Sequence, residues 1–160
     1  MTSMRRRERA VEDREGMTAI LNQCSVCRLG LRDAEGPYIV PMSFGYQWDE
    51  EGLRLYVHCA QEGRKLDAIR SDPIIAFEMD CGYCLLPAET ACGHSCAYQS
   101  VTGTATARIV QELSEKCAGL ACLMRHQTGR DFAISPQAAA GVCVLCLEVR
   151  RISGKRHGSR

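Results

Sequence analysis

A two-residue alternation of apolar and polar side chains recurs along most of the chain, and it constrains the fold more than any other feature. Cys27, Leu29 and Leu31 alternate with Val26, Arg28 and Gly30, the period of a strand with one buried face. The turn residues Asp33-Ala34-Glu35-Gly36 close that run. Tyr38 to Tyr46 reads as a second strand, with Tyr38, Val40, Met42 and Phe44 on one face. After Asp49-Glu50-Glu51-Gly52, a third carries Leu53, Leu55 and Val57 to His58. Ile74 to Met79, Ser100 to Val110 and Val142 to Ile152 supply the fourth, fifth and sixth. Helical spacing is confined to three places. Met17, Ile20 and Leu21 follow the N-cap candidate Asp13, and Arg64 to Arg70 is stopped by Asp72-Pro73. Leu113, Cys117, Leu120, Ala121 and Met124 precede Gly129, a C-cap candidate. Residues 80–97, with Gly, Pro and four cysteines, read as irregular.

Six strands with hairpin-length turns, and too few helices for parallel crossovers, predict an antiparallel sheet with peripheral helices, an α+β chain. Such a sheet closes most readily into a small barrel, because closure removes exposed edges; an open sandwich is the alternative. The 160 residues suit one domain over 13–156, with a mobile charged arm over 1–12 and a basic tail over 157–160. A net charge of +1 supplies no field for nucleic acid, so no such partner is expected. The longest apolar run, Ala138 to Leu147, ends at Glu148, well short of the roughly 20 residues of a membrane span. Arg5-Arg6-Arg7 leads into Glu8, Arg9, Glu12 and Asp13 instead of the apolar region of an export signal. A cytoplasmic location without membrane contact is the expectation.

Eleven cysteines are the compositional anomaly. An odd number, no export signal and a chain long enough for a core weigh against a disulfide framework, so reduced thiols are expected. The nucleotide-binding patterns G-x-G-x-x-G and G-x-x-x-x-G-K-[ST], the hydrolase elbow G-x-S-x-G and the zincin H-E-x-x-H are absent. The three C-x-x-C pairs follow Gln23, Asp80 and Val142, not the proline of zinc deaminases. Cys143 and Cys146 lie three apart in a strand and therefore face opposite ways. Cys81, Cys84, Cys92 and Cys96, with His94, could converge on zinc, but their intervals are not those of a zinc ribbon. No obligatory metal site is expected. His126 and His157 read as solvated, and Trp48 as a loop anchor.

His58-Cys-Ala-Gln-Glu-Gly-Arg-Lys65 is the most chemically directed stretch. A strand ends, Gly63 gives the backbone room, and two cations open a helix whose free N–H groups and dipole favour an anion. Lys65 supplies charge and Arg64 a planar fork, as a phosphate requires. A solvated helix start is the competing reading.

Several segments together resemble the pyridoxamine 5′-phosphate oxidase-related flavin proteins, nearest the nitroimidazole reductase-like branch. They are Cys27-Arg-Leu-Gly-Leu31, Gly36-Pro-Tyr-Ile-Val-Pro-Met-Ser-Phe-Gly-Tyr46, His58-Cys-Ala60, Gly63-Arg-Lys-Leu-Asp67, Tyr98-Gln-Ser-Val101, Glu115-Lys116 and Gly154-Lys-Arg156. The resemblance spans residues 5–156. It implies a six-stranded split barrel that forms a homodimer and binds FMN at the subunit interface. By the same resemblance Arg64 and Lys65, beside Gly63, grip the FMN phosphate, with His58, Cys59 and Ala60 at the adjoining strand end. Val40, Pro41, Met42 and Ser43 run along the isoalloxazine ring, and Tyr98, Ser100 and Val101 line its other side. Cys59 departs from the Ser, Thr or Gly common in relatives, and a thiol donates more weakly than a hydroxyl. The implied activity passes electrons from a reduced donor through FMN to a small molecule such as a nitro compound. A flavin- or haem-binding module without turnover is the alternative, since no acid, base or nucleophile stands out.

Overall fold

A computed structural model describes residues 5–158. The strands are β1 (Ala10–Val11), β2 (Val26–Asp33), β3 (Gly36–Ser43), β4 (Gly45–Asp49), β5 (Gly52–Cys59), β6 (Ile74–Leu86), β7 (Ser95–Ile109) and β8 (Cys143–His157). The helices are α1 (Arg14–Leu21), α2 (Arg64–Ser71), α3 (Leu113–Thr128) and α4 (Pro136–Ala140). The strands form one antiparallel sheet in the order β3-β2-β6-β7-β8-β5-β4, with β1 added to β8. The two ends of that order, β3 and β4, are consecutive in sequence. The chain leaves one edge of the sheet at Phe44 and joins the other, which curls the sheet into a barrel.

That corner corrects the expected single strand over Tyr38 to Tyr46. Phe44 is fully buried, and a Cβ at Gly45 would lie 2.4 Å from the Leu123 Cα of α3. Only glycine lets the helix backbone approach the bend so closely. Residues 80–97 differ from expectation as well. β6 continues to Leu86 and β7 starts at Ser95, with a register shift between Cys81 and Cys84. A bulge there breaks the alternation that identifies a strand, while the backbone ladder persists. Among the described residues the strands number eight, two short ones beyond the expected six.

Within the expected mobile arm, residues 1–4 lie outside the described residues. Ala10 and Val11 pair with Lys155 and Gly154, so the inner end of the arm belongs to the sheet. In the tail, residues 159–160 are likewise outside, and His157 ends β8 opposite Tyr98. The core fills the barrel with Leu29, Phe44, Leu55, Val57, Met79 and Leu147, all fully buried. Cys143 belongs to this core while Cys146 packs with Tyr56 in a second cluster outside it, as alternation requires.

The helices start and stop where their caps direct. Asp13 Oδ1 accepts from the Gly16 N–H at 2.6 Å, and Gly129 ends α3 in the left-handed conformation. Ser135, followed by Pro136, caps α4, a short helix that no apolar periodicity in the sequence marks. Contrary to the expectation of solvated histidines, the His126 Nε2 lies 2.8 Å from the Cys24 carbonyl and its ring is 4.4 Å from that of Phe44. Trp48 sits on β4, not in a loop, and the Arg14 guanidinium lies 5.3 Å from its ring centroid.

Candidate functional site

At one end of the barrel, β5 finishes at Cys59 and a short turn leads into α2. Gly63 caps α2 at φ +136, a conformation favouring glycine, and supplies no side-chain acceptor. A Cβ there would meet no atom within 4 Å, so the space before the helix is open. The carbonyl of Gly63 takes the N–H groups of Leu66 and Asp67. Those of Arg64 and Lys65 precede the helical ladder and are free for an anion. Lys65 has no ion-pair partner among the described residues. Its ammonium is near enough to Cys59 to favour the thiolate, but burial is the larger effect and pushes that thiol up to about 11.

Arg64 is held from the side. Its Nε and Nη2 donate to the two carboxylate oxygens of Asp33 at 2.5 and 3.1 Å, and Nη2 reaches Glu35 at 3.2 Å. Its guanidinium lies 4.1 Å from the ring centroid of Tyr38. The guanidinium in turn holds the Asp33 carboxyl below the usual carboxylate range. Sequence reasoning found the turn 33–36 but not this clamp, because the partners are far apart in the chain. Beneath the clamp, the buried phenolic oxygen of Tyr38 has no hydrogen-bond partner, a deficit of about 1–3 kcal/mol unless a bound group satisfies it.

β3 runs along the same end as the edge strand of the sheet. Tyr38, Val40 and Met42 pack toward the core, while Pro41, Ser43 and Ile39, the last 71% exposed, face outward. Prolines 37 and 41 have no N–H, which suits positions whose backbone points away from β2. By alternation, Ile39 and Ser43 then present their N–H groups along the open edge. His58, Ala60 and Gly63 are exposed, and Cys59 is half-buried. His58 to Ala60 and Gly63 to Lys65 thus stand together at one end, and Tyr38 of β3 is held against Arg64; Val40 to Ser43 run on from Tyr38 along the edge.

Tyr98, Ser100 and Val101 lie elsewhere. Tyr98 opposes His157 and Ser100 opposes Lys155, at the far end of β8 from Cys143, which opposes Cys59. The strand contour between those ends is roughly 45 Å at about 3.3 Å per residue. Val101 is fully buried and can offer a ligand only its backbone. Tyr98 stands among cations: Arg9 Nη1 lies 3.5 Å from its oxygen and the Lys155 ammonium 5.8 Å from its ring. The Arg9 hydrogen bond, with Lys155, holds its phenol below the usual range. A cavity of about 520 Å³ opens beside it, lined by Tyr83, Cys84, Gln99, Arg156 and His157 among others. Arg156 belongs to the Gly154-Lys-Arg156 segment of the resemblance, whereas Arg9 and His157 carry no site signal in a linear reading; pairing of β1 and β7 with β8 assembles the three.

The loop thiols do not converge. Cys81, Cys84 and Cys96 oppose Gln99, Ala97 and Leu85 along the β6–β7 ladder. Among the described residues no three Cys, His, Asp or Glu side chains are placed to hold a metal ion. Among the described residues no helix is long and apolar enough to cross a membrane.

The sequence profile of the pyridoxamine 5′-phosphate oxidase family matches residues 13–156. Among solved structures, the chain is similar to one described as a 5-nitroimidazole antibiotic resistance protein from Bacteroides thetaiotaomicron. Identity is 30%, 92% of this chain and 86% of that one are covered, and the TM-score is 0.79. The flavocytochrome Anf3 from Azotobacter vinelandii shares the fold at 20% identity, covering 98% and 73% of the two chains with a TM-score of 0.79. The FAD and heme binding protein from Mycobacterium smegmatis does so at 19%, covering 94% and 74% with a TM-score of 0.79. Among curated protein sequences none matches.

Proposed function

We propose, from the premise that this chain belongs to the pyridoxamine 5′-phosphate oxidase family, that it is a homodimeric FMN-dependent oxidoreductase acting on small molecules in the cytoplasm. The observation that carries the reading is the open, uncapped N terminus of α2 with Lys65 beside it. Two free N–H groups and an unpaired ammonium, at the end of an edge strand, suit a flavin phosphate with its ring laid along β3.

Bound FMN would supply two-electron chemistry between a reduced donor, such as a nicotinamide, and an acceptor, such as a nitro compound. The chain's own residues do the holding. Arg64, fixed by Asp33, Glu35 and Tyr38, has Nη1 left for a phosphate. Lys65 adds a point charge. The Ile39 and Ser43 N–H groups are the donors the edge would offer to the polar side of a ring. Tyr98 and Ser100 pair with the opposite end of β8 from the strand end beside Lys65, and in this reading a second copy supplies them to the shared site.

Purified protein should be yellow, release FMN on denaturation, and bleach with a reduced nicotinamide under anaerobic conditions until a nitro compound reoxidises it. Failure to bind FMN after reconstitution would sink the reading. Binding without reduction by any donor would instead mark a flavin-binding module without turnover.

A further inference from the structure

Two thiols meet at the end of the barrel that carries α2. Cys59 and Cys143 are direct register partners on the antiparallel pair β5–β8, so their side chains leave the same face of the sheet. Cys143 is near enough to help push the Cys59 thiol up, after burial. Directly opposed residues hold their Cβ atoms about 4.5–5.5 Å apart, and a disulfide needs about 3.5–4.5 Å, so closure takes a movement of about 1 Å. Cys59 is half-buried and reachable, whereas Cys143 is 7% exposed and reachable chiefly through it.

We propose that Cys59 and Cys143 are a reversible disulfide site whose closure weakens the anion cradle at the start of α2. The chemistry is exchange with a small-molecule disulfide. The Cys59 thiol loses its proton to solvent and attacks one sulfur, releasing one small thiol and leaving a mixed disulfide. Cys143 then loses its proton and displaces the second small thiol from Cys59. Two protein thiols are oxidised and one small disulfide is reduced to two thiols. Burial raises the Cys59 thiol to about 11, so little thiolate is present in neutral solution and exchange is faster at alkaline pH. Closure draws the last residue of β5 toward β8. Only residues 60–62 separate it from Gly63, so the cap that exposes the Arg64 and Lys65 N–H groups shifts with it. The effect on FMN rests on the flavin reading above; the disulfide does not.

The test exposes full-length protein to oxidised glutathione at mildly alkaline pH, blocks free thiols and digests with trypsin. Residues 55–64, carrying Cys59, should emerge joined to residues 131–150, which carry Cys143 and Cys146. Dithiothreitol should separate them. The link should vanish in Cys143→Ser and persist in Cys146→Ser, whose side chain faces the other way. FMN affinity should fall about tenfold on oxidation, recover on reduction and become insensitive to oxidant in Cys143→Ser. Formation of only glutathione adducts, or a link that survives Cys143→Ser, would overturn the disulfide. Equal FMN affinity in both forms would overturn the coupling. If neither form binds FMN, the flavin reading and the coupling fail together, while the peptide map still decides the disulfide.

Discussion

The two cations opening α2 have different tasks. Arg64 is shared between Asp33, Glu35 and the face of Tyr38, whereas Lys65 has no ion-pair partner among the described residues. Lys65→Ala is therefore expected to weaken FMN about 10–100-fold, the loss of one charge-assisted phosphate contact, with no change in melting temperature. Arg64→Ala should weaken FMN and also lower the melting temperature, because it unties α2 from the β2–β3 turn. Fluorescence titration of FMN alongside thermal melts separates the two. Equal melting losses would show Lys65 to be structural. A second residue-scale expectation concerns Gly103 of β7. A Cβ there would lie 2.3 Å from the Arg151 carbonyl oxygen and 2.5 Å from the Phe77 ring. Backbone on a paired strand cannot give way as a flexible side chain does. Gly103→Ala should cost about 1–3 kcal/mol in denaturant unfolding; a neutral result would mean that β7 and β8 can slide apart there.

At the scale of elements, α3 is tied to β7 and β8 through one guanidinium. Arg108 donates to both oxygens of Glu115 at 2.6 and 3.0 Å, and to Glu148 at 2.8 Å. The Arg108 hydrogen bonds hold the Glu115 carboxyl below its ordinary value of 4.5. A depressed carboxylate contributes stability above its unfolded pKa and loses it as pH falls through the folded one. Glu115→Gln should thus cost about 1 kcal/mol at neutral pH, given partial exposure, and the cost should shrink below about pH 4.5. Parallel unfolding curves at both pH values check this; an undiminished gap in acid would mean that packing, not charge, holds α3. The elements also show what the sequence made legible. The strand alternation, the Asp13 and Gly129 caps and the Gly63-Arg64-Lys65 helix start are local patterns and could be read directly. The corner at Phe44 could not, because its cause is the approach of Leu123 from a distant helix. Nor could the outer half of the β6–β7 hairpin, where a bulge interrupts alternation and pairing is carried by backbone. In the candidate site, the α2 cations were legible. The Asp33 clamp, the cations around Tyr98 and the thiol facing Cys59 were not, since each joins residues far apart in the chain.

For the whole molecule, a flavin site that uses both Lys65 and Tyr98, as proposed, would draw on two chains. If the flavin site is shared, a chain carrying Lys65→Ala and another carrying Tyr98→Ala should each bind FMN weakly in both of their own sites. Mixed dimers of the two should regain one intact site. Partial recovery of tight FMN binding after subunit exchange is the expected titration result, and no recovery would place the whole site within one chain. The open edge along β3 has a consequence of another kind. An unpaired strand with outward backbone groups is a template on which further strands can grow, the first step toward fibrillar aggregation. Pro37 and Pro41 remove two of the donors such growth would need, leaving those of Ile39 and Ser43. Two isolated N–H groups can satisfy a single bound molecule but cannot seed a continuous ladder, so the same edge stays receptive to a ligand and closed to polymerisation.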